Sequence, residues 1–152
     1  MTTLETITVA QRSDKQALED LQRRASLVAD DYREQILANP EVIEVPLRQI
    51  ELGHVVAAKR DGRLTGFAAI ELNDDGSAEL DGLFVEPALW RQGIASRLIA
   101  SVEQVAREAG SDVLHVTANP NALGFYTHVG FVKVGSAPTL FGPADRMLKQ
   151  IR

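Results

Sequence analysis

Residues 91–96 read Arg-Gln-Gly-Ile-Ala-Ser, between an apolar run that stops at Glu86-Pro87 and a long periodic segment. What chemistry they offer lies mainly in the backbone. The first amides of a helix have no intrahelical acceptor, and the helix dipole adds about half a positive charge at that end. Gly93 lacks a Cβ and Ala95 and Ser96 are small, so a ligand can come close to those amides. Arg91 and Arg97 add positive charge beside them. Such a helix start suits an anion, a phosphate group above all. The same residues also fit an ordinary strand-turn-helix unit with a glycine in its turn.

A cradle of this kind needs a strand before it and a helix after it. Residues 80–85 form a short apolar run that ends at proline, as a strand would. From Gly93 onward, Ile94, Leu98, Ile99, Val102, Val105, Ala106 and Ala109 recur at three- and four-residue spacing, which predicts an amphipathic helix stopped by Gly110. Before it, residues 54–59 and 64–72 flank Asp61-Gly62, a strong hairpin signal, and a second turn at residues 73–76 leads into a strand over 77–85. Residues 4–10 alternate with a period of two and predict a first strand. Residues 15–27 predict a helix with Ser13 as its N-cap, and residues 30–38 a second helix that ends before Asn39-Pro40. Residues 41–53 fit either a strand or a loop with a short helix.

After the long helix, residues 112–117 predict a buried strand lying parallel to 80–85 through the helical crossover. Residues 120–129 predict a short helix. Residues 131–134 begin another strand, and residues 139–151 form a last one bent at Gly142-Pro143. The fold class is α/β, a mixed sheet with one parallel connection near its middle and helices around it.

At 152 residues the chain reads as one domain, 1–152. A net charge of −5 argues against nucleic acid as a partner. With no cysteine, disulfides, thiolate metal sites and a cysteine nucleophile are excluded. His115 and His128 have no carboxylate or histidine at ligand spacing, so no metal is expected. The first residues carry no leader pattern and no run approaches ~18 apolar residues, so a cytoplasmic protein without a membrane partner is expected. No Gly-x-x-x-x-Gly-Lys-Ser/Thr or Gly-x-Gly-x-x-Gly run is present, which counts against a nucleotide-binding domain.

Two stretches together resemble a known family. Leu83-Phe84-Val85-Glu86-Pro87, followed by Gly93-Ile94-Ala95 and Leu98, resembles the acetyl-coenzyme A motif of the GNAT superfamily of N-acetyltransferases. Asn119, Ala122, Tyr126, Gly130 and Phe131 are similar to that superfamily's second signature, in the usual order and separation. The likeness covers residues 62–134 closely and the N-terminal helices by element order only. One departure stands out: the family usually has Arg or Gln where this chain has Trp90, and often Gly where it has Arg91.

The resemblance implies a mostly antiparallel sheet whose one parallel pair splays at the cofactor. It implies acetyl-CoA as cosubstrate, with main-chain groups of Arg91, Gln92, Gly93, Ile94, Ala95 and Ser96 on the pyrophosphate. The pantetheine arm would run along Leu83, Phe84 and Val85, an amide near Val85 would polarise the thioester carbonyl, and Asn119 would bond the arm or the helix start. The acceptor amine would attack the thioester directly. An alkyl amine with a pKa near 10 is only about one part in a thousand neutral at pH 7, so a base is needed. Strand alternation over 77–85 puts Ser77, Glu79, Asp81, Leu83 and Val85 on one side, which makes Glu79 and Asp81 the base candidates; they fit solvated edge carboxylates as well. Tyr126, protonated at pH 7, would give the departing thiolate its proton, although a tyrosine in this setting also fits a core position. The acceptor is a small molecule or a protein amine, and the resemblance allows a homodimer. A non-catalytic acyl-CoA-binding or regulatory module of the same fold is the alternative.

Overall fold

The structure, a computed structural model, describes residues 5–28 and 33–152. Its centre is a seven-stranded sheet in the order β1-β2-β3-β4-β5-β7-β6. The strands are β1 (Glu5–Val9), β2 (Val55–Arg60), β3 (Arg63–Leu72), β4 (Ala78–Val85), β5 (Val113–Ala118), β6 (Val132–Thr139) and β7 (Gly142–Gln150). Every pairing is antiparallel except β4 with β5. The helices are α1 (Lys15–Val28), α2 (Arg33–Ala38), α3 (Leu47–Glu51), α4 (Ile94–Glu108) and α5 (Leu123–His128).

Both faces of the sheet are covered at β2 and β3, which is why residues 55–58 and 67–70 are apolar without a break. Val56, Ala58, Ala68 and Ile70 join Leu98, Ile99, Val102 and Ala106 of α4 in one core. Val55, Ala57, Phe67 and Ala69 point the other way, onto Leu18 and Leu21 of α1 and Ile50 of α3. Gly66 lets α4 lie close: a Cβ there would meet the Phe84 carbonyl oxygen at 2.9 Å and Leu98 Cδ1 at 3.0 Å. The Asp61-Gly62 turn joins β2 to β3 with both residues left-handed, φ 52° and 78°, as a two-residue hairpin of this hand requires.

The structure corrects three local expectations and decides between two readings at a fourth place. Gln11, not Ser13, is the N-cap: α1 is entered through a 3-10 turn at Arg12–Asp14, and the Gln11 amide donates to the Asp14 carboxylate at 2.8 Å. Residues 41–53 hold a short helix, α3, since Pro46 opens a first turn but interrupts a strand. Thr139 ends β6, not the last strand, because a hairpin turns through Leu140 and Phe141. The third correction concerns β4. Its pairing with β3 skips a residue, Ile70 opposite Leu80 but Ala69 opposite Gly82, so Asp81 is the extra residue of a bulge. Leu80 and Val85 both face the α4 core, with Leu83 packed against it, while Phe84 faces the α1 core. Leu83 and Val85 therefore lie on the opposite side from Glu79. Leu4 of the first predicted strand and residues 30–32 of the second predicted helix fall outside the described residues.

Candidate active site

The parallel pair is short. Leu114, His115 and Val116 of β5 stand opposite Ala78, Glu79 and Leu80, and the pairing stops there. β4 runs on to Val85 and β5 to Ala118 without facing each other. From Asp81 onward the strands splay, so the Leu83-Phe84-Val85 edge has main-chain groups that β5 does not use. A strand edge in that state can pair with an extended ligand arm.

The chain leaves β4 through Glu86 and a 3-10 turn at Pro87–Leu89, then reaches α4. Arg91 and Gly93 are both left-handed, φ 67° and 81°, on either side of Gln92. Successive turns of this hand bend backbone amides into a concavity. Gly93 is the N-cap of α4, and no side chain caps that helix. The amides at its start are therefore open to an anion, as residues 91–96 suggested. Left-handed Arg91 costs on the order of 1 kcal/mol that any residue without a Cβ would avoid. Strain of that kind at a loop facing a helix start fits a ligand site.

Trp90 has a definite job. Its indole Nε1 donates to the Val85 carbonyl at 2.8 Å, tying the loop back to the end of β4. The loop is held from its other side by a cluster of charges. Glu5, with only 7% of its side chain exposed, accepts from Thr65 Oγ1 at 3.0 Å and pairs with both Arg60 and Arg97. Arg60 also donates to Gln92 Oε1 at 3.4 Å. No sequence pattern points to this cluster, because its members come from β1, the β2–β3 hairpin and α4.

The two carboxylates of β4 have different surroundings. Glu79 is gripped by Arg146 of β7 in a fork of 2.6 and 2.8 Å, and Arg146 also donates to Thr117 Oγ1 at 3.1 Å. The hydrogen bonds it donates to Glu79 hold the Arg146 guanidinium above its ordinary range. Asp81 is exposed on the bulge and accepts a single long hydrogen bond, 3.3 Å, from Gln49 Nε2. Buried Gln49 is itself anchored on the Ile70 carbonyl at 2.9 Å.

Tyr126 of α5 packs edge-on between Phe125 and Phe131, ring centres 5.2 and 5.4 Å away. It belongs to the α4-face core together with Val85 and Ala118, at the far ends of the splayed strands. Burial pushes its hydroxyl up to about 12. Asn119 turns its side chain inward on its own loop, where its Oδ1 accepts from the Asn121 amide at 2.9 Å and starts the 3-10 turn before α5.

A cavity of about 480 Å³ opens on the α1 side of the splay, bordered by Phe84, Thr117, Asn119 and the β6–β7 hairpin. A wider cleft of about 670 Å³ lies between α1 and the β2–β3 hairpin. Its charges include the Arg24–Glu86 ion pair at 2.7 Å, and it lies away from Tyr126, Glu79 and Asp81. Among the described residues there is no group of three metal-ligating side chains, and no helix is long and apolar enough to cross a membrane.

A sheet opened beside an uncapped helix start defines a class of fold built to take an extended, phosphate-bearing ligand. Residues 16–131 match the Acetyltransferase (GNAT) family, and the chain belongs to it. An acetyltransferase of Agrobacterium fabrum is 46% identical over 55 residues, which span 36% of this chain and 40% of the relative's length. Among solved structures, a PaiA N-acetyltransferase from Thermoplasma acidophilum in complex with coenzyme A superposes with a TM-score of 0.81 at 18% identity, over 97% of this chain and 99% of that one. A GCN5-related N-acetyltransferase from Rhodopseudomonas palustris gives 0.77 at 21% identity, over 99% and 98%. At these identities the superpositions speak for the fold.

Proposed function

We propose that this protein transfers an acetyl group from acetyl-CoA to a primary amine. The observation that carries the reading is the uncapped start of α4, with Arg91 and Gly93 left-handed, next to the unpaired edge of β4. Amides of Arg91, Gln92, Gly93, Ile94, Ala95 and Ser96 hold the pyrophosphate. The edge of Leu83, Phe84 and Val85 holds the pantetheine arm, and Asn119 keeps the facing loop in shape. Family membership and the coenzyme A bound to the Thermoplasma relative support the same cosubstrate.

The amine nitrogen bonds to the acyl carbon, the carbon–sulfur bond breaks, and the nitrogen gives up a proton as the sulfur gains one. Asp81 is the better base of the two β4 carboxylates. It is exposed and lightly held, while Glu79 has its lone pairs committed to Arg146 and acts on the field around the amine. A phenol near 12 does not readily hand its proton to a thiolate whose ordinary pKa is about 8.5. Tyr126 therefore donates a hydrogen bond to the departing sulfur, and the proton shed by the amine completes the thiol.

The Glu79–Arg146 fork favours a second reading, an acyl-CoA-binding module without turnover, because it removes one of two bases. Calorimetric titration with acetyl-CoA, CoA and ATP, followed by thiol release with an amine panel, tests both. Micromolar acetyl-CoA binding without ATP binding, followed by amine-dependent thiol release, is the expected result. Binding without release would leave the module, and no binding of either CoA form would remove both readings.

A further inference from the structure

The 480 Å³ cavity on the α1 side of the splay carries information about the acceptor. Its size falls within the roughly 300–1,000 Å³ of small-molecule sites. Ile36, Val42, Ile43, Phe84 and Phe141 supply its apolar walls. Its polar lining is neutral amide and hydroxyl, and among the described residues no charged side chain borders it. Phe84 and Gln22 also line the small recess that holds Asp81, Glu44 and Gln49, which sets two carboxylate residues beside one end of the cavity. The lining residue Thr117 brings Arg146 to the wall, but that guanidinium is forked onto Glu79.

These features sort acceptors by charge. An ammonium or amine head can sit at the Asp81 end, where Asp81 and Glu44 supply negative charge. A second ammonium further in would lose its water and, among the described residues, meet only apolar carbon and neutral groups. An acceptor carboxylate would find no uncommitted cation among the described lining residues. We propose that the acceptor is a small monoamine whose body is uncharged and apolar, aromatic or branched aliphatic, lying against Phe84 and Phe141. The assignment rests on the acetyl-transfer reading given above and narrows its acceptor.

The test uses the full chain and two readouts: thiol release with acetyl-CoA, and calorimetric binding to protein saturated with CoA. Phenethylamine and isoamylamine are compared with spermidine, kanamycin, phenylalanine and a short peptide with a free amino terminus. The expected result is a kcat/KM for phenethylamine about a hundredfold or more above spermidine and phenylalanine, the scale on which an unpaired buried charge discriminates. Val42→Glu, a charge placed on the half-buried wall, should lower the phenethylamine value by about tenfold or more and leave acetyl-CoA affinity unchanged. Preference for spermidine, kanamycin, phenylalanine or the peptide would overturn the proposal while acetyl transfer stood. Phenethylamine that binds the CoA-saturated protein but is never acetylated would support the cavity assignment and remove the transfer reading. Failure of both monoamines to bind or react would overturn the proposal outright.

Discussion

At the scale of single residues, the site is a set of ordinary groups whose surroundings differ. Tyr126 is neutral in any physiological buffer, and its burial makes that neutrality part of the fold. The unfolded chain ionises this phenol near 10.0, the folded one near 12, so folding favours the protonated form. That stability is whole below pH 10 and is lost as pH rises toward 12, up to about 2.7 kcal/mol for two units. Chemical denaturation between pH 9 and 12 should show this alkaline limb in the wild type and lose it in Tyr126→Phe; equal limbs would mean the hydroxyl is not desolvated. The same variant, which loses the hydrogen bond to the departing sulfur, should lower kcat by about a hundredfold with acetyl-CoA affinity unchanged, and a wild-type rate would remove Tyr126 from the chemistry. Asp81→Asn should likewise cut kcat by about two orders of magnitude or more near neutral pH, with acetyl-CoA binding intact. If Glu79→Gln proves the more damaging of the two, the proton goes to Glu79 and the division of roles made from their contacts is wrong.

At the scale of elements, the strand-loop-helix unit from Ala78 to Glu108 was legible in the sequence, and so were the two hairpin turns before it. Glycines and a proline at fixed places force those turns, and the α4 stripe has a period no strand could use. The bulge at Asp81 was not legible. Alternation along one strand says nothing about a residue skipped by its neighbour, so the facing of Leu83 and Val85 came out reversed. The Glu79–Arg146 fork was equally hidden, since it joins positions 67 residues apart that only the β5–β7 pairing brings together. Gly93 is where element geometry can be tested. With φ at 81° and a Cβ that would sit 3.3 Å from Arg97 Nη1, Gly93→Ala should strain the start of α4 by about 1–2 kcal/mol. Acetyl-CoA affinity should fall about tenfold or more, with the far-ultraviolet spectrum unchanged. Affinity equal to wild type would mean that the pyrophosphate does not use these amides.

At the scale of the whole molecule, the sheet is asymmetric in how well it is held together. β2, β3 and the first half of β4 are paired on both sides and covered on both faces. The second half of β4 faces no strand on its β5 side, and the described elements leave a cavity beside it. The fold therefore keeps a gap through its middle, with β5 meeting β4 only at the base of that gap. A ligand arm seated along β4 would bridge the halves and bind the native state alone, which raises stability by mass action. At a concentration of a hundred times Kd the gain is about 2.7 kcal/mol. For a chain of this size each kcal/mol moves the midpoint by roughly 2–4 °C, so saturating acetyl-CoA should raise Tm by about 5–10 °C. Scanning calorimetry at rising acetyl-CoA would show a midpoint that climbs with the logarithm of ligand concentration, and Gly93→Ala would need about tenfold more ligand for the same rise. A midpoint that stays fixed while calorimetric binding is saturated would mean the ligand also binds unfolded chain, and the bridging role of the splay would have to be given up.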